Sequence, residues 1–189
     1  TVDSPDLKLK LESLEGLLPF RIEIGTVQVS DKKGVWFEGK DIRLEWEPLA
    51  LLKPELNIVE ISGKSISIER APESTEPAVE IKTDPKSSGK AFIKGIPIPV
   101  VLQKLRFEKI SLGKELLGEQ VLLGVESDGE YRDLKKGIEF NASINRLDGV
   151  PAFLKANLGF NPINGQIKLN VLAGEPKGGI LVKKLNLPG

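Results

Sequence analysis

The chain has 189 residues, 40% hydrophobic and 29% charged, a balance that suits one folded domain of ordinary size or two small ones. Lysine plus arginine equals aspartate plus glutamate at 27 each, so no basic excess meets nucleic-acid phosphates, and nucleic acid is not an expected partner. Histidine and cysteine are absent, which excludes imidazole bases and ligands, thiol nucleophiles, zinc–thiolate sites and disulfides.

The longest apolar stretches, such as IPIPVVL (96–102), fall far short of the ~20 residues that cross a bilayer as a helix. No basic-then-apolar signal segment opens the chain. It begins at Thr1 and contains no methionine, which reads as an excised piece or a mature form. Any anchor or address would then lie outside these residues.

Apolar residues alternate from the start: Leu7, Leu9 and Leu11, then Phe20, Ile22 and Ile24. In DIRLEWEPLALLKPELNIVEI (41–61), Ile42, Leu44 and Trp46 fall on one side of a strand, and Arg43, Glu45 and Glu47 on the other. PLALLKP (48–54) reads as a corner between strands, with a lid or a membrane-contacting wedge as the alternative. Ile66 and Ile68 follow. The pattern then stops at APESTEPAVEIKTDPKSSGK (71–90), a predicted loop or linker in which AVEIK is an alternative partner-binding strand. Alternation resumes at Leu105 and Phe107, Ile138 and Phe140, and Ile167, Leu169 and Val171.

SDKKG, EGKD, SGKS, ESDG and NPING supply turn chemistry between the runs. The expected fold is therefore mostly β: a curved, mostly antiparallel sheet forming an open trough with an aliphatic concave face. One or two short helices are expected, at 47–53 and 178–185. Residues 1–70 and 91–189 form the two sheet segments, joined by 71–90.

A weak internal repeat crosses the linker. RIEIGTVQVSDKKGVWFEGKDIRLEWE (21–47) resembles LRFEKISLGKELLGEQVLLGVE (105–126). Ile22 and Ile24 correspond to Leu105 and Phe107, and Val27 and Val29 to Ile110 and Leu112. Both copies shift phase, at Gly25-Thr26 and at Glu108-Lys109, as a β-bulge would make them do. A bend repeated in successive units curves a sheet.

A one-sided sheet needs a cover: a second sheet, helices, or something that is not protein. Helical stretches are too few. Smooth Ile, Leu and Val walls suit acyl chains, whose burial is worth roughly 0.8 kcal/mol per methylene. The groove-lining candidates are Ile22, Ile24, Ile42, Leu44, Trp46, Ile66, Ile68, Leu105, Phe107, Ile138, Phe140, Ile167, Leu169 and Val171.

Catalytic, metal and cofactor sites are not expected. Asp31, Asp128 and Asp148 precede turn glycines and read as turn acceptors rather than catalytic acids. Glu45 and Glu47 share the solvent side, with no pocket behind them for acid–base work. GEPKGG (174–179) lacks the spacing of a phosphate loop. The paired lysines of VKKLNLPG read as a solvated helix face, with anionic headgroups as the alternative.

Several stretches in order resemble the TamB family, the inner-membrane-anchored half of the translocation and assembly module of Gram-negative bacteria. The longest is VSDKKGVWFEGKDIRLEWEPLALLKPELNIVEISGKSISIERAP (29–72). There Asp31, Gly34, Trp36, Trp46, Pro48, Leu51, Leu52 and Pro72 stand at the family's matching places. IPVVLQKLRFEKISLGKELLGE (98–119) and GEPKGGILVKKLNLPG (174–189) are similar to later elements, whereas KTDPKSSGK matches none.

The resemblance implies the region just after the membrane anchor, in the periplasm. It implies a long β-structure with an apolar channel of the AsmA-like and bridge-like lipid-transfer plan. The implied partners are phospholipid acyl chains and, through other parts of the protein, the outer-membrane barrel TamA. The implied role is in outer-membrane assembly and phospholipid movement.

Overall fold

A computed structural model describes residues 2–4, 7–73, 98–177 and 179. Extended segments dominate it because β-branched and large apolar residues alternate with polar ones, while sustained helical periodicity is absent. The strands are β1 (Val2–Ser4), β2 (Leu7–Glu15), β3 (Arg21–Asp31), β4 (Gly34–Trp46) and β5 (Leu56–Ile68), then β6 (Val100–Leu112), β7 (Val121–Tyr131), β8 (Ile138–Arg146), β9 (Phe153–Asn161) and β10 (Gln166–Gly174). They form one sheet in strict chain order, with β1 and β10 as its outer strands, so the sheet does not close on itself.

Every neighbouring pair is antiparallel except one. β5 and β6 run parallel, from Leu56 beside Val100 to Ile68 beside Leu112. This departs from the expected meander, and the reason is steric. Parallel neighbours need a long crossover, and the chain between them is the long stretch that interrupts the alternation. Of the expected linker 71–90, residues 74–90 lie outside the described residues, and so does the AVEIK alternative.

The expected helix at 47–53 is a single 3-10 turn, Pro48–Leu52, with Pro48 setting its first φ. The helix expected at 178–185 lies outside the described residues but for Gly179. A short helix α1 (Lys114–Leu117) joins β6 to β7 and ends on Gly118 in the left-handed conformation.

Three of the expected turns are not turns. EGKD, SGKS and ESDG lie inside β4, β5 and β7. The first two fall on a line of irregularities running across the strands. Ser13 and Asp41 have positive φ (56° and 52°) on either side of Gly25, and β6 bulges between Phe107 and Ile110. At each of these places the apolar period slips by one residue and the chain continues as a strand. Asp128 is likewise no turn acceptor: it takes a 2.7 Å hydrogen bond across the ladder from Asn141 Nδ2. Asp31 and Asp148 do sit in turns.

Elements pack against their ladder neighbours rather than against a second layer. Of the large apolar side chains described, only Val121 and Tyr131 are buried.

The apolar face as a candidate functional site

β7 runs without a bulge and serves as a ruler. Val121, Leu123, Val125, Ser127, Gly129 and Tyr131 share its one face, and each begins a row across the sheet. From Val121 the row passes Leu112, Ile68, Phe37 and Val29 to Leu9. Leu123 leads to Ile110, Ile66, Gly39, Val27 and Leu11, and Ser127 to Leu105, Ile61, Leu44 and Ile22.

The Val125 row crosses the irregular line. It reaches Phe107 and Gly63, and then Ile42 by side-chain contact: a Cβ on Gly63 would lie 2.7 Å from Ile42 Cδ1 and 2.9 Å from Phe107 Cδ1. Ile42 pairs with Ile24 and also reaches over Gly39, where a Cβ would lie 3.2 Å from its Cδ1 and 2.9 Å from Val27 Cγ1. The bare glycines leave room for these side chains, so the phase slip keeps both halves of each strand apolar on the same side.

On the other flank, Phe140 lies beside Gly129, and Leu158 and Leu169 continue that row; Ile138, Phe160 and Ile167 continue from Tyr131, and Val171 from Ala156. Trp46 enters through Ile58 and Leu102. The register thus brings Ile22, Ile24, Ile42, Leu44, Trp46, Ile66, Ile68, Leu105, Phe107, Ile138, Phe140, Ile167, Leu169 and Val171 to one side of the sheet. The repeat is legible here too. Corresponding residues share rows, Ile22 with Leu105, Ile24 with Phe107, Val27 with Ile110, and Val29 with Leu112.

Alternation alone missed Leu123, Val125, Ile144, Leu154 and Leu158. On β7 the face includes Ser127 and Gly129, which interrupt the apolar series. On β9 the exposed Phe153 breaks the period.

The opposite side is polar. Arg21 and Glu23 (3.0 Å), Arg43 and Glu45 (2.5 Å), Lys104 and Glu60 (3.6 Å), and Arg106 and Glu126 (3.6 Å) pair across or along strands. Exposed pairs of this kind contribute about 0–1 kcal/mol each, so they mark the solvent side more than they hold the sheet together. Glu47 lies beyond the end of β4 and accepts from Asn57 Nδ2 at 2.7 Å. An open crevice of about 700 Å³ follows the irregular line on this side, between Glu23, Arg43, Glu60 and Arg106.

Two charged clusters mark the sheet's end at α1. Arg70 clamps Asp31 with two bonds (2.7 and 2.5 Å), and the backbone N–H groups of Lys33 and Glu73 donate to the same carboxylate. These bonds, Arg70's first, hold the Asp31 carboxyl well below the usual carboxylate range. Arg146, the charged residue in the Leu123 row, turns its guanidinium to Asp148 (2.5 Å) and Glu119 (3.3 Å). Its bond lowers the Asp148 pKa in turn. Beside it, Leu117, Val121, Leu123, Ile144 and Leu154 line an apolar recess of about 240 Å³.

Chemically, the site offers aliphatic area with few polar groups to orient a ligand. Among the described residues no cluster of carboxylates is placed to hold a metal ion. No protein-family model, curated protein or solved structure matches this chain. What the described residues define is a class of fold: an open, single-layered, mostly antiparallel sheet.

Proposed function

We propose that the chain is a non-enzymatic segment of a TamB-like periplasmic protein, anchored to the inner membrane elsewhere, whose apolar side is the wall of an open trough that shields phospholipid acyl chains in transit to the outer membrane. The observation that carries this reading is the set of mostly apolar rows, interrupted at Ser127, Arg146 and a few glycines, which the described residues leave without a covering layer. Soluble monomers seldom leave contiguous apolar patches beyond a few hundred Å² open to water. An acyl chain of about sixteen methylenes would gain on the order of 10 kcal/mol by lying along such rows, before entropy losses. Headgroups stay in water at the open edge while tails slide over Ile, Leu and Val, and no single contact is strong enough to trap them. The outer-membrane barrel TamA is the proposed partner of other parts of the protein.

The test is lipid extraction from purified protein followed by mass spectrometry. Wild type should carry phospholipid. Leu44→Asp and the β10 pair Leu169→Asp/Val171→Asp should fold, by circular dichroism, and lose most of it. Folded wild type without phospholipid, or folded variants with an unchanged yield, would overturn the reading.

One observation favours a second reading, an assembly module for outer-membrane β-proteins. Among the described residues β10 pairs only with β9, leaving a nine-residue edge with a single charge, Lys168, to which a client strand can add. Asn170→Pro would then abolish client binding and spare lipid occupancy.

A further inference from the structure

We propose that the end of the sheet formed by the β2–β3 turn and the β4–β5 connection is a membrane-docking rim whose leucines enter the interfacial layer of a phospholipid bilayer. Strand directions bring 16–20, 47–55, 132–137 and 162–165 to this one end. Leu18 is 73% exposed, Leu49 71% and Leu52 82%, and Leu17 and Phe20 are exposed beside them. Further along the same end, the β7–β8 and β9–β10 turns present Leu134 and Ile163, both exposed.

These tips are held in place. Phe20 and Arg21 N–H donate to the Leu17 carbonyl at 2.8 and 3.0 Å, and Trp46 N–H donates to the Phe20 carbonyl at 3.0 Å. The Trp46 indole N–H donates to the Pro19 carbonyl and ties the two loops together. In the second loop, Ala50 N–H donates to Glu47 and Lys53 N–H to Ala50. The leucines are therefore presented by bonded backbone.

The other end is built differently. There, among the described residues, Asp31 meets Arg70, Lys33 meets Glu73 and Arg146 meets Asp148, and the exposed large apolar residues are Leu7, Val35, Leu147 and Phe153, none of them above 50% exposed. This asymmetry gives the contact a direction.

Chemistry selects a bilayer over a protein. Protein interfaces concentrate Trp, Tyr and Arg at their centres and are poor in Lys. This rim has leucines at its tips, with Phe20 and Trp46 beneath them, backed by Lys53, Arg132, Lys135 and Lys136. Among the described residues the three lysines make no salt bridge within 4.0 Å, although Lys136 and Lys135 lower the pKa of Asp133, through their backbone N–H groups and then through their nearby charges. Of the acids nearby, Glu55 faces Arg132 at 3.9 Å, Glu47 accepts from Asn57 Nδ2, and Asp133 accepts from the N–H groups of Lys135 and Lys136; Glu15 ends β2 beside the first loop. Leucine above lysine is the composition of an interfacial anchor on anionic lipid. The rim consists of loop tips rather than the apolar face, so docking stands whether or not that face carries acyl chains.

The experiment is flotation of the full chain with vesicles of phosphatidylethanolamine and phosphatidylglycerol. Wild type should float. Leu18→Glu/Leu52→Glu, with an unchanged circular dichroism spectrum, should bind at least ~10-fold more weakly, since binding scales with inserted apolar area. Leu147→Glu at the other end should bind like wild type. The chain's two tryptophans lie at opposite ends of β4, about 30 Å apart along the strand. Brominated phospholipid should quench Trp46 in a Trp36→Phe chain and leave Trp36 bright in a Trp46→Phe chain. Wild type that does not float, a double variant that floats equally well, quenching of Trp36, or a rim that pairs two copies in sedimentation without binding vesicles would each overturn the proposal.

Discussion

Asp31 is the residue on which the β3–β4 turn depends. Its carboxylate takes bonds from Arg70, Lys33 and Glu73 and has almost no exposed surface. A carboxyl so held is stabilising only while ionised. Its pKa is depressed in the folded chain and ordinary in the unfolded one. The stabilisation is therefore fully present above the ordinary carboxylate range and drains away as the pH falls below about 4. Asp31→Asn should lower the urea midpoint at neutral pH, and the gap to wild type should close on acidification. A gap independent of pH would mean that packing, and not charge, holds the turn. Gly113 is constrained by space alone. A Cβ there would lie 2.1 Å from the Glu69 carbonyl oxygen, which is backbone and must move bodily. Gly113→Ala should cost about 1–3 kcal/mol in urea unfolding.

At the scale of elements, the line through Ser13, Gly25, Asp41 and the Phe107–Ile110 bulge decides whether long strands can keep one side apolar. Asp41 tolerates its φ of 52° because a short polar side chain suits the left-handed region. Asp41→Val should destabilise by about 1–2 kcal/mol, and Asp41→Gly should not destabilise. Gly63→Val should cost about 1–3 kcal/mol by pressing on Ile42 and Phe107. Equal midpoints for Asp41→Val and Asp41→Gly would remove strain from the account.

The same line explains what the amino-acid pattern could and could not disclose. Ile22–Ile24 against Val27–Val29 is a visible slip of period, yet no bulge stands at Gly25-Thr26. There β3 keeps register with both neighbours, and the irregularity is the positive φ of Ser13 and Asp41 beside Gly25. The bulge expected at Glu108-Lys109 is present, between Phe107 and Ile110. EGKD and SGKS carry the same glycine, lysine and serine or aspartate chemistry as a hairpin turn, and local composition does not separate a turn from the interior of a strand. Only the partner strands do, through registers such as Lys40 with Ser65. The parallel β5–β6 pair was illegible for a similar reason: strand direction depends on the path between strands, not on alternation within them. Most face residues on β3, β4, β5 and β10 were legible because each strand there keeps a period of two between irregularities. Val125 and Leu154 were hidden by Ser127, Gly129 and Phe153, which break the period without changing the face.

For the molecule as a whole, a sheet whose strands touch mainly their ladder neighbours distributes its stability along one dimension, as repeat structures do. In a two-layered sandwich each strand is also locked from above, and opening is close to all-or-none. Here an outer strand can open while its neighbours stay paired, at the cost of one ladder. Native-state hydrogen exchange should therefore fall off stepwise from β5, β6 and β7, which contain the buried Val121 and Tyr131, through β8 and β9 to β10. Destabilising β10 with Asn170→Pro should raise exchange in β9 more than in β6. An occupant of the apolar face would change this profile in a defined way. Acyl chains laid across rows contact several strands at once, so added phospholipid should slow exchange across β8, β9 and β10 together and flatten the gradient. Protection rising only at 16–20 and 47–55 would instead report contact at the rim with the face left empty, and uniform exchange from β2 to β10 without lipid would show a covering layer already in place.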